Sequence, residues 1–103
     1  MSNILVLDLE TQRSFKDVGK HNLHKLRISV VGTFDYLTQS YETYEEKDLL
    51  RLEKRIREAE LLIGFNIRRF DLPVLAPYLF SPIENLPVLD LLEAVEKARG
   101  HRA

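Results

Sequence analysis

A chain of 103 residues is one small domain or part of one, and its 45% hydrophobic and 30% charged residues are an ordinary globular balance. Its formal net charge of −1 excludes a module that binds nucleic acid by electrostatics alone, so polyanion binding would require a local basic group or bound metal ions. The absence of cysteine excludes disulfides, thiol nucleophiles and thiolate zinc sites.

The first half of the chain predicts three strands before any helix. Residues 3–10 contain a continuous apolar run, which is typical of a central strand covered on both faces. A polar loop is expected at residues 11–24, followed by a long strand at 25–37 in which Gly32 marks a bulge or a site of close packing. Residues 41–44 alternate aromatic or β-branched with polar side chains, which favours a short strand in a hairpin with the previous one.

The second half alternates helices with one further strand. Residues 45–60 predict a helix with a solvated charged face, including the pair Glu53/Arg57, and with an apolar stripe of Leu49, Leu52, Ile56 and Ala59. Residues 61–65 predict a buried strand parallel to the first. Residues 68–80 are expected to be helical and divided at Pro77, and residues 81–87 to be a linker. Asp90 is a plausible N-cap for a last helix.

Acidic side chains lie at the end of the first predicted strand and beyond the end of the strand predicted at residues 61–65. Successive side chains of a strand alternate faces, so Asp8 and Glu10 project from the same side and can hold hard cations. Asp71 supplies a third acid beyond the neighbouring strand, and its structural interpretation, a residue at a helix N-terminus, is compatible with metal binding. Three carboxylates at this place predict a site for two divalent ions about 4 Å apart, as phosphodiester hydrolysis uses.

Other residues near these acids have both a structural and a functional interpretation. Asn66 suits a turn or a substrate contact, and Phe70 suits the core or a base-stacking position. Arg68 and Arg69 can meet a phosphate or remain surface charges. The spacing of His21 and His24 permits a shared metal ion, but their surroundings favour two solvated histidines.

Two segments of the chain resemble a known family. Residues 6–11, with Asp8, Glu10 and Thr11, look like the first motif of the DEDD-type 3′-to-5′ exonucleases of the ribonuclease H-like superfamily, and residues 64–71 look like the second. The sequence is most similar to predicted proofreading-type domains found alone or beside helicases, in which a phrase like residues 86–92 follows.

The resemblance implies an α/β fold with a mixed sheet, elements in the order βββαβα and strand order 3-2-1-4. It implies a two-metal Mg²⁺ or Mn²⁺ site and hydrolysis of single-stranded DNA or RNA from the 3′ end, with Asp8, Glu10 and Asp71 as catalytic metal ligands. The candidate substrate-binding residues are Thr11, Asn66, Arg68, Arg69 and Phe70.

Domains of this family continue into another strand and a helix with a fourth acidic residue, whereas this chain ends at Ala103. We therefore expect residues 1–103 to be a single, incomplete domain that lacks the last strand and helix. Its activity would be impaired, or would need completion by a helicase, by another chain or by self-association. The alternative is a non-catalytic nucleic-acid-binding or protein-interaction remnant. Without a membrane-length apolar stretch or a leader pattern, we expect a cytoplasmic protein with no membrane partner.

Overall fold

The structure, a computed structural model, describes residues 3–12, 27–80 and 86–100. The predicted loop lies mostly outside these ranges, as do His21, His24 and His101. The strands are β1 (Ile4–Thr11), β2 (Ile28–Asp35), β3 (Ser40–Tyr44), β4 (Leu61–Gly64) and β5 (Val88–Asp90). The helices are α1 (Leu49–Glu58), α2 (Leu72–Leu75) and α3 (Leu91–Arg99), and shorter helical turns are formed by Glu46–Asp48, Ile67–Asp71 and Ala76–Tyr78.

One mixed sheet organises the described residues, with strand order β3-β2-β1-β4-β5. The hairpin of β2 and β3 is antiparallel, as is the pairing of β2 with β1, whereas β1–β4 and β4–β5 are parallel. The predicted order 3-2-1-4 is therefore confirmed. The fifth strand was not predicted, because its three residues directly follow the segment interpreted as a linker and are too few to show a period.

The prediction that β1 is covered on both faces is wrong. The side chains of Leu5, Leu7 and Leu9 are buried, whereas Ile4 and Val6 on the other face are only partly buried. The apolar run predicted two covered faces because it contains no polar residue before Asp8. The buried core lies on one face of the sheet.

Helix α1 packs its predicted apolar stripe into that core, since Leu49, Leu52 and Ile56 are all buried. The opposite face is not wholly solvated, because the Glu53 side chain is buried too. Its Oε1 accepts the backbone N–H of Phe80 at 2.9 Å, and its Oε2 accepts from Arg57 Nη2 at 2.9 Å. The Glu53/Arg57 pair thus forms as predicted, but it also anchors the chain beyond α2.

The segment after β4 is divided as the prolines predicted. A π-helical turn at Ile67–Asp71 leads into α2, and the helix becomes a 3₁₀ turn at Ala76–Tyr78, which contains Pro77. The last helix, α3, begins after Asp90, whose side chain accepts the backbone N–H groups of Leu92 and Glu93. The predicted N-cap is therefore confirmed. None of the helices in the described ranges is long and apolar enough to cross a membrane.

Gly32 and Gly64 differ in how tightly they are packed. Gly32 pairs in regular register with Asp8, and a Cβ there would lie 3.9 Å from the nearest atom, so it is neither a bulge nor a close contact. The irregularity of β1 falls between Glu10 and Thr11. At Gly64 a Cβ would lie 2.9 Å from two Ile67 side-chain atoms and 3.0 Å from the Leu7 backbone oxygen.

We expect Gly64→Ala to lower the free energy of unfolding by about 1–3 kcal/mol, because the new methyl group overpacks a rigid corner of the sheet. Urea unfolding followed by circular dichroism measures this loss. Gly32→Ala is the matched control in the same sheet and should be neutral or slightly stabilising. Equal losses for both variants would contradict the close packing at Gly64.

Candidate functional site

Asp8 and Glu10 lie on the face of β1 opposite the buried leucines, as the period of the strand predicted. Both side chains are exposed, and buried Leu9 separates them. Asp8 is directly opposite Gly32 of β2, so no side chain from that neighbour covers it. Among the described residues, no ion pair involves either carboxylate. Two carboxylates are therefore open to solvent on one sheet face.

Asp71 binds strand β1 at the place where β1 is no longer paired with β4. Strand β1 pairs with β4 only along Ile4–Val6, so the backbone beyond that point has no strand partner on this side. The last residue of the π-helical turn fills the gap, where Asp71 Oδ2 accepts the N–H of Leu9 at 3.0 Å. This satisfies a buried backbone donor and fixes the carboxylate beside the segment that holds Asp8 and Glu10.

Asp71 is 4% exposed, and the electrostatic surroundings of its carboxyl group disfavour ionisation. Burial raises the pKa of Asp71 from 3.8 to about 6, and the negative charges of Asp8 and Asp90 contribute in the same direction. The hydrogen bond from Leu9 opposes the shift without cancelling it. Asp71 is thus a buried acid whose ionisation is opposed by the neighbouring carboxylates of Asp8 and Asp90.

Asn66 forms the turn that carries the chain from β4 into the π-helical turn. Its backbone is left-handed, with φ of 58°, a conformation that asparagine tolerates better than most residues. Its N–H donates to Asp90 Oδ1 at 2.9 Å, and its side-chain Oδ1 is buried without a hydrogen-bond partner among the described residues. The turn interpretation is confirmed, and the substrate contact stays a prediction.

The two arginines of the second motif face α3. Arg68 donates to Glu93 Oε1 at 3.0 Å and to the backbone oxygen of Val88 at 2.8 Å. Arg69 Nη1 lies 3.5 Å from Glu96 Oε1. The sequence analysis did not predict these glutamate partners. The one pattern that involved Glu93 was its spacing from Asp90, which is that of a capping box. In the structure, however, the Glu93 side chain pairs with Arg68.

Phe70 and Thr11 lie beside the acids but differ in their surroundings. Phe70 is partly buried and packs against the core cluster, which agrees with its structural interpretation. Thr11 ends β1 directly after the irregularity and pairs with Ile28. Their contact with a substrate stays a prediction.

No protein-family model matches the chain, and no curated protein matches it. Among solved structures, it is similar to a family B DNA polymerase from the hyperthermophilic archaeon Pyrobaculum calidifontis, with a TM-score of 0.57 and 15% identity. The match covers 76% of this chain and 11% of the polymerase chain. Such a distant likeness shows the fold alone. The mixed sheet, with strand order β3-β2-β1-β4-β5, is compatible with a ribonuclease H-like fold.

The carboxylates of Asp8 and Asp71 are chemically suitable ligands for a hard cation. Asp8 and Asp71 influence each other electrostatically, and no basic side chain of the described residues forms an ion pair with either. Oxygen donors without a basic partner are suitable ligands for Mg²⁺ or Mn²⁺. In the described ranges, however, no three His, Cys, Asp or Glu residues are grouped closely enough to hold a metal ion. Asp8, Glu10 and Asp71 are therefore not gathered into one such group.

Proposed function

We propose that this chain is a metal-dependent phosphodiesterase domain of the 3′-to-5′ exonuclease type, with Asp8, Glu10 and Asp71 as its metal ligands. The observation that supports this most directly is the Asp71 carboxyl group, which is buried, faced by Asp8 and Asp90, and raised in pKa. A buried acid with no cationic partner costs stability, and such groups are concentrated at functional sites. The similarity to a DNA polymerase supports nucleic acid as the partner.

The residues of the site have distinct tasks in this proposal. Asp8, Glu10 and Asp71 would hold Mg²⁺ or Mn²⁺, which stabilises negative charge on a phosphodiester and lowers the pKa of the attacking water. The Leu9 N–H keeps the Asp71 carboxylate directed at β1. Asp8 is open to substrate because its neighbour on β2 is a glycine.

Substrate contacts would come from the turn that follows β4. The Arg68 and Arg69 side chains are about half exposed. The Arg68–Glu93 ion pair is exposed on both sides and contributes only about 0–1 kcal/mol, so a phosphate group can replace Glu93 as the partner of Arg68. Glu96, the partner of Arg69, is only 12% exposed. Asn66, Phe70 and Thr11 complete the proposed contact surface for a single strand of DNA or RNA. We further propose that residues 1–103 act as one domain and that an additional carboxylate completes its metal site.

The proposal is tested by the response of the chain to Mn²⁺. At about 100 times its Kd, Mn²⁺ would add about 2.7 kcal/mol to the free energy of unfolding, or on the order of 10 °C in Tm. Asp8→Asn should abolish most of this increase, because it removes an exposed ligand and keeps the shape of the side chain. Cleavage of a 5′-labelled single-stranded oligonucleotide is assayed with the same samples.

Glu58→Gln provides the matched control, since it removes one exposed carboxylate from α1. It should respond to Mn²⁺ like the unmodified chain. An equal response of Asp8→Asn, or no response of the unmodified chain, would overturn the metal site. Stabilisation by Mn²⁺ together with oligonucleotide binding but without cleavage would support the non-catalytic alternative.

A further inference from the structure

Asp90 is a buried carboxylate that accepts hydrogen bonds from two separate parts of the chain. It is 3% exposed and ends β5, next to Gly64 of β4. Its Oδ1 accepts the N–H groups of Leu92 at 3.0 Å and Glu93 at 3.4 Å, which is an ordinary helix cap. The same carboxylate also accepts two N–H groups from the turn after β4, which an N-cap alone does not require.

The second set of hydrogen bonds holds the beginning of the π-helical turn. Asn66 N–H donates to Asp90 Oδ1 at 2.9 Å, and Arg68 N–H donates to Asp90 Oδ2 at 3.1 Å. Both donors belong to a segment that has left the sheet at Gly64 and has no strand partner. Asp90 therefore provides the acceptors that fix the direction of this turn.

Asp71 lies at the other end of the same turn. The N–H of Phe70 donates to the backbone oxygen of Asn66 at 3.0 Å, so the turn is a single hydrogen-bonded unit from Asn66 to Asp71. We therefore expect a displacement at Asn66 to reach Asp71. The Arg68 contacts with Val88 and Glu93 join the same turn to β5 and α3.

We propose that Asp90 is a positioning residue for Asp71: by binding the backbone of Asn66 and Arg68, it holds the turn so that the Asp71 carboxylate reaches Leu9 of β1. This inference rests on the proposed function for its purpose, but the hydrogen bonds that carry it do not depend on a metal ion. In this proposal Asp90 acts through Asp71 and is not itself a metal ligand.

Asp90→Asn is the variant that tests this role. An asparagine retains one oxygen acceptor but places an NH₂ group opposite one of the backbone donors, which leaves a buried N–H unsatisfied. We expect the exchange rate of the Leu9 amide hydrogen, measured by NMR, to increase about tenfold or more relative to the Val31 and Thr33 amides of β2. We also expect the affinity for Mn²⁺ to fall about tenfold or more.

Glu93→Gln is the control, because it weakens the exposed ion pair with Arg68 and leaves in place the four backbone hydrogen bonds to the Asp90 carboxylate. It should leave the Leu9 amide unchanged. A uniform increase at all sheet amides in Asp90→Asn would indicate a purely structural role and overturn the proposal. An unchanged Leu9 amide would also overturn it.

Native-state hydrogen exchange of the unmodified chain gives a second test that does not depend on a variant that folds. The amides of Leu9, Asn66 and Arg68 should open together with one free energy across a series of low urea concentrations. Independent opening of Leu9 would contradict the coupling. If coupling is found but Mn²⁺ does not bind, then the proposed function fails and the positioning of Asp71 by Asp90 remains.

Discussion

Leu62→Ala should lower the free energy of unfolding by about 2–5 kcal/mol. Leu62 is fully buried in β4, and β4 lies between β1 and β5 in the sheet. Removal of its side chain leaves a cavity that the surrounding side chains fill only in part. Because a native domain is stable by only about 5–15 kcal/mol in total, this variant should be partly unfolded at modest urea concentrations. Urea titration followed by circular dichroism measures the change.

Leu61→Ala is the matched control, because it is the same substitution one residue earlier on the opposite face of β4. The Leu61 side chain is only partly buried, so we expect a loss of about 1 kcal/mol or less. Losses of similar size in the two variants would contradict a core that lies on one face of the sheet.

The contrast between these leucines shows where sequence patterns are informative. The hairpin and α1 were predictable because aromatic and β-branched residues are interspersed with polar residues in Ser40–Tyr44, and because polar residues separate the apolar positions of α1. In β1 and β4 the residues are apolar on both faces, so the pattern cannot show which face is covered. Strand β5 was missed because it is too short for any pattern and depends on pairing with β4.

The candidate site divides in the same way. The shared face of Asp8 and Glu10 follows from the geometry of a single strand, and the sequence was sufficient to predict it. The burial of Asp71 depends on where the π-helical turn leaves the sheet. The role of Asp90 depends on hydrogen bonds from Asn66 and Arg68, which lie 24 and 22 positions before it in the chain. No local pattern contains such long-range information.

Asp71→Asn should stabilise the chain at pH 7, against the usual direction for a change at a buried polar residue. In the folded state the pKa of Asp71 is about 6 instead of 3.8, because burial and the neighbouring charges of Asp8 and Asp90 oppose ionisation. One pKa unit corresponds to about 1.4 kcal/mol, so the neutral amide should add up to about 3 kcal/mol to the free energy of unfolding. The asparagine oxygen can still accept the N–H of Leu9. Urea unfolding at pH 7 without metal ions measures this gain.

The gain should depend on pH in a definite direction. Between pH 3.8 and about 6 the folded chain retains a proton at Asp71 that the unfolded chain has lost, so the contribution of Asp71 to stability falls as pH rises through this window. The free energy of unfolding of Asp71→Asn should therefore match that of the unmodified chain near pH 4 and exceed it by the full gain above pH 7. The exposed Glu58→Gln should show no such gain.

Asp71→Asn should also lose the Mn²⁺ response, because the acid that destabilises the metal-free chain is the proposed ligand. Destabilisation at pH 7, or a difference that does not vary between pH 4 and pH 7, would mean that the Asp71 charge is compensated in solution and would remove the main support for the metal site.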